Sequence, residues 1–299
     1  MPILKRAAAK VTKRAPKPRP KARRMRESAD ARRQRALRIL KALHDYHGEV
    51  TTALHHNNAW QLLMSTILSA QSTDDTVNRI TPILFAKYPT PAALAAAPPD
   101  EVEALIRPTG FFRQKTKSIQ AASQSIIEKF GGQVPDTMEG LLELRGVARK
   151  TANVVLGTFF RKNEGVVVDT HVGRVATRLG MTWRGKNEKD AGKIERDLME
   201  VIPRDEWSYF SHALIWHGRK ICTARKPNCA ACVLNQDCPS AFTFEGPRRP
   251  ARPGAAAHVA PAPQPARTAC FQPARGAARP FGVACEPAPT PLASHGHSG

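Results

Sequence analysis

Apolar residues recur at helical spacing in segment after segment of this chain. Ala36, Leu37, Ile39, Leu40 and Leu43 form one stripe; Leu62, Leu63, Ile67 and Leu68 another; Ile80, Ile83 and Leu84 a third; Ile119, Ala122, Ile126 and Ile127 a fourth. The breaks between them carry helix punctuation. Thr90-Pro91 reads as an N-cap followed by the first helical position, Asp100 and Asp136 each stand three residues before a glutamate (Glu103, Glu139) as caps do, and Gly110, Gly132 and Gly180 fall at helix ends. The pattern predicts an all-α body over about residues 31–244. Val166-Val167-Val168 leaves two readings open, a short strand or a buried connector leading into an Asp169-Thr170 cap.

The flanks lose this periodicity. Residues 1–30 are rich in Lys, Arg, Ala and Pro, and residues 244–299 are dominated by Ala, Pro, Arg and Gly, so both are expected to be disordered arms. Charge follows the same division. Of the net +21, residues 1–38 hold +13 (fifteen Lys and Arg against Glu27 and Asp30) and residues 245–299 hold +4, which leaves +4 for everything between.

Such arms suit a polyanion, since each neutralised phosphate releases condensed counterions. A membrane surface fits less well, because the arm lacks a large apolar face and no run of about 18 apolar residues could span a bilayer. The amino end has no apolar core of a secretory signal, although organelle transit peptides also begin Arg-rich and acid-poor.

Four of the six cysteines, Cys222, Cys229, Cys232 and Cys238, form C-x6-C-x2-C-x5-C, too dense for ordinary core packing. Four thiolates suit tetrahedral zinc or an iron–sulfur cubane. Spacing alone leaves both open, but with one short pair, Cys229 to Cys232, flanked by longer arms, it favours the larger cluster. Disulfides are a weaker reading without a secretion signal. Cys270 and Cys285 lie in the tail and are expected to ligate nothing.

The segment Leu144-Arg145-Gly146-Val147-Ala148-Arg149-Lys150-Thr151-Ala152-Asn153 has the form of a helix-hairpin-helix, in which a Gly turn joins two short helices and leaves backbone N–H groups to hold a phosphate. Lys150 falls in the first turn of the second helix, where the positive end of the dipole and Arg149 both disfavour an ammonium and so favour a nucleophilic amine. By itself a helical Lys is usually a solvated charge, and Asp169 by itself is simply a cap.

Taken together, Gly146 to Val155, Val168-Asp169-Thr170-His171, Leu68-Ser69-Ala70-Gln71-Ser72-Thr73-Asp74 and the four-Cys pattern resemble bacterial endonuclease III in order and spacing over about residues 36–240. The resemblance implies a two-lobed, all-α helix-hairpin-helix DNA glycosylase fold. An iron–sulfur cluster lobe would comprise residues 31–52 plus 165–243, and a six-helix lobe residues 53–164 with the hairpin at about 137–159. It further implies that the four Cys hold a [4Fe-4S] cluster, that Lys150 is the nucleophile and Asp169 its partner, and that the partner is double-stranded DNA with damaged bases or abasic sites.

By the same resemblance Gln71 fills the gap left by a flipped nucleotide and Phe111, in Thr109-Gly110-Phe111-Phe112-Arg113, is the wedge that enters the base stack. Gly146 and Ala148 form the phosphate-binding turn, His171 and Arg174 contact the DNA backbone or position Asp169, and Arg225 and Lys226 meet phosphate. The expected activity is a bifunctional DNA glycosylase and AP lyase of base excision repair, monomeric and cytoplasmic in a bacterium, or in an organelle or the nucleus of a eukaryote. Two departures bear on the hairpin: Arg145 stands where Pro is usual, and Ala148 replaces a second Gly. If position 148 needed a positive φ, Ala would cost on the order of 1 kcal/mol.

Two rivals differ in class. A monofunctional adenine or mismatch-thymine glycosylase would share the fold and the Asp, but it would lack the catalytic lysine. The adenine-specific relatives also carry a further folded carboxy-terminal domain that residues 245–299 are too Pro/Ala-rich to supply. A non-catalytic DNA-binding iron–sulfur protein would leave the pairing of Lys150 with Asp169 unexplained.

Overall fold

A computed structural model describes residues 27–185 and 189–243, and the two terminal arms proposed above, apart from Glu27 to Asp30, lie outside them, as do Cys270 and Cys285. The described residues form eleven α-helices and no strand: α1 (Ala29–His47), α2 (Ala59–Leu68), α3 (Asp74–Lys87), α4 (Pro91–Ala95), α5 (Pro99–Ile106), α6 (Phe112–Phe130), α7 (Met138–Leu142), α8 (Arg149–Thr158), α9 (Thr170–Arg178), α10 (Ala191–Val201) and α11 (Trp207–Lys220). Side-chain caps set many of the starts. Ser28, Asn58, Thr73, Thr90, Thr137 and Asp169 each accept a first-turn N–H, which satisfies an otherwise orphan donor.

Two sequence expectations change, and one open reading is resolved. Thr137, not Asp136, caps α7, because the Asp136 carboxylate turns away to pair with Lys162. Asp100 lies inside the first turn of α5, where it meets the helix dipole rather than capping it. Val166 to Val168 is a buried connector, its central N–H donated from Val167 to the Ser211 hydroxyl at 2.9 Å instead of to a neighbouring strand.

Two hydrophobic cores result. One gathers residues of α2 to α8, from Leu54 and Trp60 to Val155 and Leu156. The other is discontinuous: α1 brings Ala36, Ile39, Leu40 and Leu43 against Val166, Val168, α9, α10, α11 and Leu234. Leu37 and Ile83, counted in the apolar stripes, face outward. Arg35 ties the second core's ends together. Its guanidinium donates to both oxygens of Glu27 at 2.8 Å and to the carbonyls of Leu179, Gly180 and Asp237, so part of the basic amino-terminal run is structural.

Candidate functional site

The hairpin turn between α7 and α8 is anchored from within by Leu144 and Val147, both buried in the first core. Gly146 is required there twice over. Its φ is +83°, and a Cβ at this position would lie 2.8 Å from the Ser118 Cβ. Ala148 has φ −104°, so the second Gly of the family pattern is not needed for conformation in this chain. As the N-cap of α8 it offers no side-chain acceptor, which leaves the first-turn amides of α8 without a side-chain partner. Arg145 is exposed beside them.

Lys150 occupies the second position of α8, exposed, and its amine makes no hydrogen bond or ion pair among the described residues. Its neighbour Arg149 is committed, donating to Glu195 at 3.0 Å and to the Glu164 carbonyl at 3.0 Å. Glu195 also accepts from Asn153 at 3.1 Å, so α8 is fastened to α10 just behind Lys150.

Asp169 caps α9, with Oδ1 accepting the Val172 N–H at 2.7 Å; a cap bond of this kind holds the carboxylate in a fixed rotamer at the positive end of the helix. His171 follows, half-buried, its imidazolium disfavoured first by burial and supported in part by the Asp169 charge. Arg174 does not fit the expected contact with DNA. It is buried, and its guanidinium is spent on the Gly218 and Cys222 carbonyls at 2.9 and 3.2 Å and on His171 Nδ1 at 3.2 Å. It therefore braces α9 against α11 and the cysteine segment. Gly218 makes that approach possible, since a Cβ there would stand 3.0 Å from the His171 Cβ.

Gln71 and Phe111 both sit in turns rather than in helices, each with a left-handed backbone: φ is +53° at Gln71 and +50° at Phe111. Such residues are uncommon and strained, and they persist where the surroundings fix them. Both are exposed. Phe111 shows 66% of its surface while the adjacent Phe112 packs against the first core, which separates two aromatics that sequence could not tell apart.

All four cysteines of the motif are free thiols lining one cavity, closed by Val175, Leu179 and Leu234. Four thiols brought to one cavity form a donor set that either a metal ion or a cluster could use. Burial pushes the Cys232 thiol up to about 11 and raises Cys238. Arg178 donates to Cys222 Sγ at 3.3 Å and to the Thr223 and Ala224 carbonyls at 2.7 Å, bracing the loop that displays exposed Arg225 and Lys226. Sequence reading missed Arg178 as a brace. Its one signal was the spacing of four from Arg174, which puts both guanidiniums on the face of α9 toward the cysteine segment.

The pattern of the HhH-GPD superfamily base excision DNA repair protein matches residues 64–204, and that of the iron–sulfur binding domain of endonuclease III matches residues 222–238, from the first motif cysteine to the last. Endonuclease III of Synechocystis sp. is 51% identical over 211 residues, covering 71% of this chain and 94% of its own. The Bacillus subtilis endonuclease III is 42% identical over 186 residues, 62% of this chain and 83% of its own. A solved structure of a trapped endonuclease III–DNA covalent intermediate superposes with a TM-score of 0.66 at 37% identity, covering 71% of this chain and 97% of that one. No helix among the described residues is long and apolar enough to cross a membrane. With the cavity geometry and these matches in agreement, the cofactor is a [4Fe-4S] cluster. The chain belongs to the endonuclease III family of base excision DNA repair enzymes.

Proposed function

We propose that this protein excises oxidised pyrimidines from duplex DNA and nicks the resulting abasic sites as a monomer, with Lys150 as nucleophile and Asp169 as its partner. The observation that carries this reading is the placement of an exposed, unpaired Lys150 in the first turn of α8, directly after a turn whose uncapped amides can hold a phosphate.

With the damaged nucleotide flipped out, the Lys150 amine forms a bond to C1′ as the C1′–N bond breaks, and the base leaves with the electron pair and takes a proton from water. Asp169, fixed by its cap bond, stabilises the oxocarbenium-like charge and takes the proton the amine releases. The C1′–O4′ bond then opens, its oxygen gaining a proton, to give an iminium. Loss of a C2′ proton expels the 3′ phosphate, which leaves with the C3′–O electron pair. Gln71 and Phe111 fill the space the flipped nucleotide vacates, and Arg225 and Lys226 meet the phosphate backbone. His171, beside Asp169, orients it. The cluster, held by Cys222, Cys229, Cys232 and Cys238, cross-links the carboxy-terminal segment.

Borohydride trapping tests the assignment, because it reduces the iminium to a stable secondary amine. Duplexes carrying thymine glycol or an abasic site should trap wild-type protein. Lys150→Gln should still bind them, trap nothing and lose nicking by several orders of magnitude. A trapped adduct at wild-type yield in Lys150→Gln would sink the assignment. Excision confined to adenine mismatches, with no adduct, would move the protein to the monofunctional class.

A further inference from the structure

A cation inside the first core has no role in the chemistry above. Lys115 lies on α6 in register with Ile119, Ala122 and Ile126, the stripe that packs into that core, and is 5% exposed. Lysine is almost never fully buried unless paired, and this one has no carboxylate partner. It also stands in the first turn of its own helix, where the dipole opposes a positive charge. Burial accordingly weakens its hold on the proton. A position disfavoured on three counts calls for a specific compensation.

The compensation is two carbonyls. Lys115 Nζ donates to Leu68 O at 2.9 Å and to Thr109 O at 2.8 Å. Leu68 is the last residue of α2, so its carbonyl is one of the orphan acceptors at the negative end of that helix, and an ammonium is the favoured partner for it. Thr109 ends the turn that leads through Gly110 to Phe111. The two acceptors therefore lie three residues before Gln71 and two before Phe111, the two left-handed residues of these turns. One ammonium joins the roots of both.

We infer that Lys115 is a positioning residue, a buried clasp that sets the separation of the Gln71 and Phe111 turns so that both enter the DNA duplex together. This rests on the proposed role of those two residues as fillers of the gap. A methionine at position 115 matches the side chain in length and leaves both carbonyls unpaired, so the turns lose their common anchor.

The test separates steps that need gap filling from those that do not. Full-length Lys115→Met and wild-type protein are compared in single-turnover excision of thymine glycol from duplex and in borohydride trapping on a single-stranded abasic oligonucleotide, which has no base stack to hold open. Misplacement of a positioning element by about 1 Å can cost on the order of a hundredfold. Lys115→Met should thus lose roughly tenfold to a hundredfold on duplex while trapping on the single strand within about threefold of wild type. In a Gln71→Ala/Phe111→Ala background the same substitution should add little, because the groups it positions are gone.

Equal losses on both substrates, no loss on either, or an undiminished effect in that background would overturn the inference. Should Lys115→Met fail to fold, Lys115→Arg keeps a cation in the pocket and should show the same duplex-selective loss in smaller measure; an equal effect on both substrates would again overturn it. Failure of wild-type protein to trap on the single strand would instead overturn the Lys150 chemistry.

Discussion

The two hydrophobic cores are built on different principles. The first runs through one stretch of sequence, Leu54 to Leu156, whose helices pack on one another through apolar side chains, with α2 reaching α8 at the far end of the stretch. The second joins Ala36 to Leu43 with Val166 to Leu234 across more than a hundred residues of intervening chain, and it is laced with polar braces. Arg35, Arg174 and Arg178 each reach carbonyls in distant segments, and Asp197, fully buried, accepts from Thr182, Trp183 and Arg184. A core assembled from remote pieces gains no help from local helix periodicity in fixing their register. Directional hydrogen bonds and a cluster supply it instead. The first core has comparable devices in Gln120, which reaches the Leu94 and Ala97 carbonyls, and in Lys115, which lies where two strained loops must be held.

The two cores should differ most in their response to loss of the cluster. Cys229→Ala should remove iron and visible absorbance, and with them several kcal/mol of folding free energy drawn from the second core. Amide exchange should then show lost protection in α9 and α11 while α2 and α6 stay protected. Uniform loss in both cores would show that they do not differ in this way.

A smaller effect is expected from Gly146→Ala, which strains a left-handed turn and presses a methyl group against Ser118. The cost should be about 2–4 kcal/mol, read as a shift in denaturant midpoint with unchanged iron content. Loss of iron would contradict the separation of the cores. The smallest concerns Arg219 and Asp74, an ion pair of 2.7 Å between α11 and α3 that links the two cores at the surface. Asp74→Asn should cost no more than about 1 kcal/mol by thermal unfolding, as partly exposed pairs do. A larger loss would mean that the cores depend on each other through this bridge.

What could be read from the sequence depended on whether its signal was local. Helices of the first core could be read from apolar stripes and from Thr90-Pro91, and the cysteine motif, the hairpin glycine and the Asp169 cap were visible because their signals are local. Arg174, expected to contact the DNA backbone or to position Asp169, braces carbonyls 44 and 48 residues away besides touching His171, and those distant backbone partners left no signal near it in the sequence. Phe111 and Phe112 were separable only by burial. Lys115 did leave a trace, a charge on the apolar stripe of α6, but its acceptors are backbone atoms, one of them 47 residues distant, and backbone acceptors carry no sequence signature.

Locating the covalent bond decides whether Lys150 is the nucleophile. Wild-type protein is reduced with borohydride on an abasic duplex, digested with a protease that does not cut at lysine, and the adducted peptide is sequenced by mass spectrometry. The adduct should fall on Lys150 alone. An adduct on Lys115, Lys162, another lysine or the terminal amine, with Lys150 unmodified, would show that Lys150 is not the nucleophile.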